Sequence, residues 1–196
     1  MNYTGCRPLT DDEIVRLLDA CTGRYRARDV ALITIGIYTG FRISEILSLT
    51  VAGVWTGSEV VKEVHVAKGF MKGKNQARTM PLHEKVREAI QSLLQASRMW
   101  HPLFQEWPLF HSQGCRKRLS TRQAYDIIVT AAERAGLNTD RIATHSCRKT
   151  FTRRMWGSPL VNRDPARMAR LLGHQNWSNT LRYLEFADEL DAAVLA

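Results

Sequence analysis

Residues 144–154, THSCRKTFTRR, and residues 171–186, LLGHQNWSNTLRYLEF, carry the reading that decides the fold. They set His145 and Arg148 one helical turn apart, place His174 directly after a Leu-Leu-Gly helix stop, and bring Tyr183 nine residues further on. Two imidazoles, a guanidinium and a phenol, with no acidic metal cluster beside them, point to chemistry on a phosphate with tyrosine as nucleophile. Such chemistry gathers negative charge on the non-bridging oxygens of the transition state, and preorganised cations must meet it.

Arginine suits that task because its planar fork binds two oxygens at once and stays charged. Arg148 is one candidate. Arg42 is the other, in Tyr38-Thr-Gly-Phe-Arg-Ile-Ser-Glu-Ile-Leu, where Gly40 lets the backbone turn and a helix begins at the arginine. Read alone, Arg42 is better explained as an i,i+3 surface pair with Glu45. A tyrosine with a pKa of about 10 is only about a thousandth phenolate at neutral pH, so Tyr183 needs a nearby base or cation. His145 or the arginines supply one. The departing 5′-hydroxyl needs a proton, and Lys72 or Lys74, at a predicted hairpin turn, is placed to give it. Taken singly, Tyr183 reads as a half-buried helix tyrosine and His174 as a partner for a helix C-terminus. Their order along the chain is what carries the reading.

The bulk properties agree. Twenty-eight basic residues against nineteen acidic among 196 give a net charge of +9, which favours a polyanionic partner. The cations cluster as Lys68, Lys72, Lys74 and Arg78, as Arg116-Lys117-Arg118 with Arg122, and as Arg148-Lys149 with Arg153-Arg154. Such patches suit a groove that tracks a phosphate backbone, or else solvated faces. Cys6, Cys21, Cys115 and Cys147 lack CxxC spacing, and the His111/Cys115 pair has no second pair to complete a metal site. With no membrane-spanning stretch and no signal peptide at the N-terminus, a cytoplasmic protein is expected.

The expected architecture is mainly α with a small antiparallel β-sheet. Thr10-Asp-Asp-Glu13 is a capping box for a first helix that stops near Thr22-Gly23. Apolar helices are expected from Arg28 to Tyr38, Ile43 to Leu49 and Glu84 to Met99. Ser120-Thr-Arg-Gln123 caps another that ends at Gly136, and Asp164-Pro165 opens Ala166 to Leu172, closed by Gly173. The β-branched run Glu59 to Val66 and the segment Arg78 to Pro81 read as two strands around turn residues 73–76.

Four segments in this order resemble the tyrosine recombinases, the phage integrase family, whose catalytic domain would take in residues 1–196. Thr39-Gly-Phe-Arg42-Ile-Ser-Glu45-Ile-Leu resembles the first arginine box, and the lysine hairpin closing on Arg78-Thr-Met-Pro-Leu82 the lysine segment. His145-Ser-Cys-Arg148 resembles the HxxR box, and Leu171-Leu-Gly-His174 with Tyr183 the last histidine and the nucleophile. The resemblance implies that Arg42 and Arg148 clamp the scissile phosphate and that His174 adds a hydrogen bond. It also implies His145 as acid/base, Tyr183 as the covalent link and Glu45 as a buttress. The family's lysine spacing, counted back from Arg78, falls on Gly73, so Lys72 is the first choice and Lys74 the second. Ser146-Cys147 departs from the acidic and apolar residues common in this box, and residues 157–164 look longer than usual.

The resemblance further implies site-specific cleavage and rejoining of double-stranded DNA through a 3′-phosphotyrosine, without metal or other cofactor, by a tetramer. The family's N-terminal core-binding domain is expected to be absent, because the first catalytic-domain helix starts at Thr10. Residues 188–196 read as a short tail helix that docks on a neighbouring protomer or packs on its own domain. Type IB topoisomerase-like activity, telomere resolution, and DNA-binding regulation without catalysis are the competing functions.

Overall fold

Residues Arg26–Thr39 form helix α2, and its sequence explains its place: Ala31 through Ile37 are all buried, so a helix apolar on every side has to lie in the middle of the molecule. The structure, a computed structural model, describes residues 5–66, 78–99, 104–112, 117–174, 180 and 184. Helix α1 (Asp11–Asp19) opens on the expected capping box of Thr10 and Glu13, ends earlier than expected, and gives way to a 3-10 turn, Gly23–Tyr25. After α2 come α3 (Ile43–Leu47), α4 (Val51–Val54), β1 (Glu63–Val66), β2 (Arg78–Pro81), α5 (Glu84–Ser97), α6 (Thr121–Arg134), α7 (Thr144–Trp156) and α8 (Pro165–Leu172). Among the described residues no helix is long and apolar enough to cross a membrane.

The two strands pair antiparallel with Val64 opposite Met80 and Val66 opposite Arg78. Residue 59 does not begin the first strand. Thr56 Oγ1 donates to the Glu59 carbonyl and accepts from its amide, closing a turn, and Val60 makes only an isolated bridge to Trp55. Helix α4, unexpected from its two valines and Gly53, is a single turn fastened by Thr50 Oγ1 accepting from the Gly53 amide at 3.2 Å. It is held from the other side by the Gln105 and Trp107 carbonyls, which accept from the Ala52 and Val51 amides. Residues 157–164 run as turns, with Asn162 and Arg163 left-handed (φ 50° and 54°) and Val161 buried.

Three cores meet along α2 and α7. One joins α2 to α3, α5 and the hairpin, a second joins α1, α2, α6 and α7, and the third packs Phe151 and Trp156 of α7 against Met168, Leu172 and Leu184. Each fully buried Leu or Ile contributes about 2 kcal/mol. Helices α2 and α7 approach closely because the contact is made by small groups: a Cβ on Gly36 would stand 2.8 Å from Cys147 Cβ. Burial pushes the Cys147 thiol up to about 12, so it serves as a packing atom and stays protonated.

Helix α2 stops at Gly40, whose φ of 60° is the left-handed C-cap that glycine favours. A Cβ there would run into the Phe151 ring. Gly40→Ala should therefore cost at least about 2 kcal/mol, combining left-handed strain with the clash. Chemical denaturation would show it, and a loss below half of that would mean that α7 yields at this contact.

Candidate active site: an arginine cluster at two helix ends

The turn after Gly40 delivers Arg42 to the start of α3. Glu45, three residues on, folds back so that one carboxylate oxygen accepts from the Arg42 amide at 2.8 Å and the other pairs with Arg42 Nη1 at 2.8 Å. The i,i+3 pair therefore exists, but it is no surface pair: the Glu45 side chain is fully buried while Arg42 keeps 19% exposure. Two further guanidiniums approach the same carboxylate, Arg78 Nη1 at 3.9 Å and Arg148 Nη1 at 4.0 Å. Among the described residues, three cations around one buried anion leave a surplus of two positive charges at this spot.

Arg148 comes from α7. The N-terminus of α7 is fixed by Ser146, whose hydroxyl accepts from the Ala143 amide at 3.1 Å and donates to the Arg141 carbonyl. The unusual serine of the His145–Arg148 segment thus does the capping that a longer polar side chain would do. One turn in, Arg148 is 1% exposed. Its Nη1 donates to the Gly40 carbonyl and its Nη2 donates to the Leu172 carbonyl at 2.6 Å and to His174 Nε2 at 2.9 Å. Gly40 closes α2 and Leu172 ends α8, so the guanidinium sits between two helix C-termini, whose unsatisfied carbonyls carry partial negative charge.

His174 follows the left-handed cap Gly173. Since Arg148 only donates, Nε2 accepts, and Nδ1 carries the ring proton and donates to Thr180 Oγ1 at 2.9 Å. Burial first, and then Arg148, Arg42 and Arg78, lower the His174 pKa to about 3, so the ring is neutral at physiological pH. In this arrangement His174 donates to a phosphate only after its proton moves to Nε2.

The unfolded imidazole takes a proton near 6.5 and the folded one only near 3, so stability is highest above about 6.5 and is lost as pH falls through that window. The melting temperature should drop between pH 6.5 and 4, and more shallowly in His174→Gln. Equal slopes for both proteins would contradict the assignment.

His145, in the first turn of α7, is exposed, on the outside of the buried face that carries Ser146, Cys147 and Arg148. Arg42, Arg148 and His174 are therefore gathered at one spot, with His145 at the start of the same helix as Arg148. Lys72, Lys74 and Tyr183 lie outside the described residues, as do Cys115 and the tail 188–196. The basic-patch reading needs correction at three positions. Arg148 is 1% exposed and Arg78 and Lys149 are each 9% exposed, because carbonyl groups hold all three inside; the Lys149 ammonium donates to the Cys6 carbonyl at 2.6 Å.

Sequence reasoning missed Arg78 and Thr180 as members of the site. Arg78 had a signal: Met80 two residues on is apolar, and the alternation places both on the inward face of β2. Thr180 had none, because its role depends on the chain returning to His174.

The chain belongs to the phage integrase family, whose model matches residues 7–189. The type 1 fimbriae regulatory protein FimB of Escherichia coli (strain K12) is 30% identical over 181 residues, covering 89% of this chain and 82% of that protein. Tyrosine recombinase XerC of Caldanaerobacter subterraneus subsp. tengcongensis is 28% identical over 92% of this chain and 47% of its own. The fold matches that of the XerH site-specific recombinase in its post-cleavage complex with palindromic difH substrate. There the TM-score is 0.73 at 21% identity, over 98% of this chain and 53% of that one. The chain thus spans about half the length of the XerC and XerH proteins.

Proposed function

We propose that the chain cleaves and rejoins double-stranded DNA at specific sites, as a tyrosine recombinase, through a covalent 3′-phosphotyrosine. The observation that carries this reading is the surplus of two positive charges where Arg42, Arg78 and Arg148 surround Glu45. A phosphodiester brings one negative charge and its pentacoordinate transition state two, so such a cluster binds the transition state more tightly than the substrate. Membership of the phage integrase family supports the same chemistry.

In the proposed reaction the Tyr183 oxygen attacks the scissile phosphorus, and His145 serves as acid/base for its proton. The bond to the 5′ oxygen breaks as the tyrosyl bond forms, and Lys72, or Lys74 in second place, protonates the leaving 5′ oxygen. Arg42, whose side chain is partly exposed, receives the phosphate first. Arg148 joins when a phosphate oxygen takes the N–H that His174 now accepts. Rejoining is the reverse attack by a 5′-hydroxyl, and the energy of the broken bond is kept in the phosphotyrosine. The working form is taken to be a tetramer on DNA, in which four such sites act on two duplexes.

Nicked duplexes tiled over the DNA that flanks the coding region test the reading. The expected product is an SDS-resistant adduct joined to the 3′ end at the break, with a free 5′-hydroxyl on the other strand end. Clear binding without any adduct would leave a DNA-binding regulator. Relaxation of supercoiled plasmid irrespective of sequence would indicate a topoisomerase, and hairpin ends a telomere resolvase.

A further inference from the structure

Arg78 is a charged residue where the β2 pattern calls for an apolar one. It is 9% exposed, and its guanidinium stacks over the Phe41 ring at 4.9 Å. Burial, and then the neighbouring Arg148, lowers its pKa to about 10, so the charge persists at physiological pH at an energetic cost. An apolar side chain of similar size would fasten β2 to its neighbours without that cost. The reason for the charge has to lie in what it touches.

Its Nη2 donates to the Thr39 carbonyl at 3.2 Å and to the Leu171 carbonyl. These residues immediately precede Gly40 and Leu172, the two whose carbonyls Arg148 takes. Arg78 and Arg148 are thus two adjacent rungs between the same pair of helix C-termini, those of α2 and α8. The Arg78 Nη1 is buried, has no hydrogen-bond partner among the described residues, and faces Glu45 Oε2 at 3.9 Å. Glu45 in turn holds Arg42. One side chain therefore reaches the supports of Arg42, Arg148 and His174, and it stands at the head of the strand that follows the lysine-bearing residues 67–77.

We infer that Arg78 is a positioning residue of the phosphate site: it fixes the end of α8 and the Glu45 carboxylate relative to α2, so that Arg42, Arg148 and His174 converge on one phosphate. The role in strand cleavage rests on the recombinase reading; the organisation of the cluster does not. A shift of about 1 Å in such a constellation costs about 100-fold in rate, while contacts to DNA elsewhere hold the duplex as before.

Two readouts on Arg78→Met and Arg78→Lys decide the matter. The first is the single-turnover rate of adduct formation on saturating nicked duplex beside the Kd for the same duplex. The second is the imidazole nitrogen NMR of His174 in the DNA-free protein. His174 is faced by Arg148 of α7, Arg42 at the start of α3, Arg78 of β2, and Thr180.

Arg78→Met should bind the duplex with a Kd close to that of the unsubstituted protein and cleave about 100-fold more slowly. Its His174 signals should move and their titration midpoint should rise. Arg78→Lys keeps the charge, but one ammonium does not reproduce the fork. It should cleave about tenfold more slowly at unchanged Kd, and it decides the question alone if Arg78→Met fails to fold. Unsubstituted rates in either folded variant would overturn the inference. So would a rate loss matched by an equal loss of binding, because that is the mark of a general fastener. If the unsubstituted protein gives no adduct on any duplex, the recombinase reading fails. His174 signals that stay in place in the variant would then overturn the positioning role, and signals that move would sustain it.

Discussion

Arg148→Lys is expected to slow strand cleavage by about 1000-fold, the loss that follows removal of a preorganised charge-stabilising donor. The side chain sits between the Gly40 carbonyl, the Leu172 carbonyl and the His174 imidazole. A lysine ammonium at the same place carries the charge but cannot span both helix ends and still offer a paired N–H to a phosphate. Arg148→Met should go further and destabilise the fold by about 3 kcal/mol, since it strips buried partners from a guanidinium site that is 1% exposed. Single-turnover adduct formation by the lysine variant and denaturation of the methionine variant check these figures. A lysine variant within tenfold of the unsubstituted rate would mean that Arg148 only holds the helix ends together.

The fold was legible in the sequence wherever one local rule sufficed. The capping boxes at Thr10 and Ser120 and the stops at Gly40 and Gly173 appear where the residues placed them. Helix α4 was not legible, because Val51-Ala-Gly-Val54 joins two β-branched residues to a glycine and only the Thr50 cap and the carbonyls of residues 105 and 107 make a helical turn there. The site divides the same way. Arg42, Arg148 and His174 announce themselves by spacing and by resemblance to the recombinase motifs. Glu45 is readable as an i,i+3 partner, but its burial among three arginines is a property of how α2, α7 and β2 meet. Arg78 was hidden for the opposite reason: it lies in a run of surface-like cations, and only the inward register of a short strand distinguishes it from them. Ser146 shows a departure from the family pattern whose compensation is local, since its hydroxyl caps α7 in place of a carboxylate.

The second large effect belongs to Tyr183. A phenol that attacks phosphorus becomes part of the covalent intermediate, so its loss removes the reaction path itself rather than a fraction of the rate. The arginine cluster and the basic surface are untouched by Tyr183→Phe, so DNA binding should persist at nearly the original Kd. A general loss of activity is a weaker test than the identity of the linked residue. The decisive measurement is therefore proteolysis of the SDS-resistant adduct followed by mass spectrometry of the nucleotide-bearing peptide. Tyrosine recombination by this chain predicts a nucleotide on Tyr183 and no adduct from Tyr183→Phe despite intact binding. A nucleotide on any other residue, or a normal adduct yield from Tyr183→Phe, would contradict it.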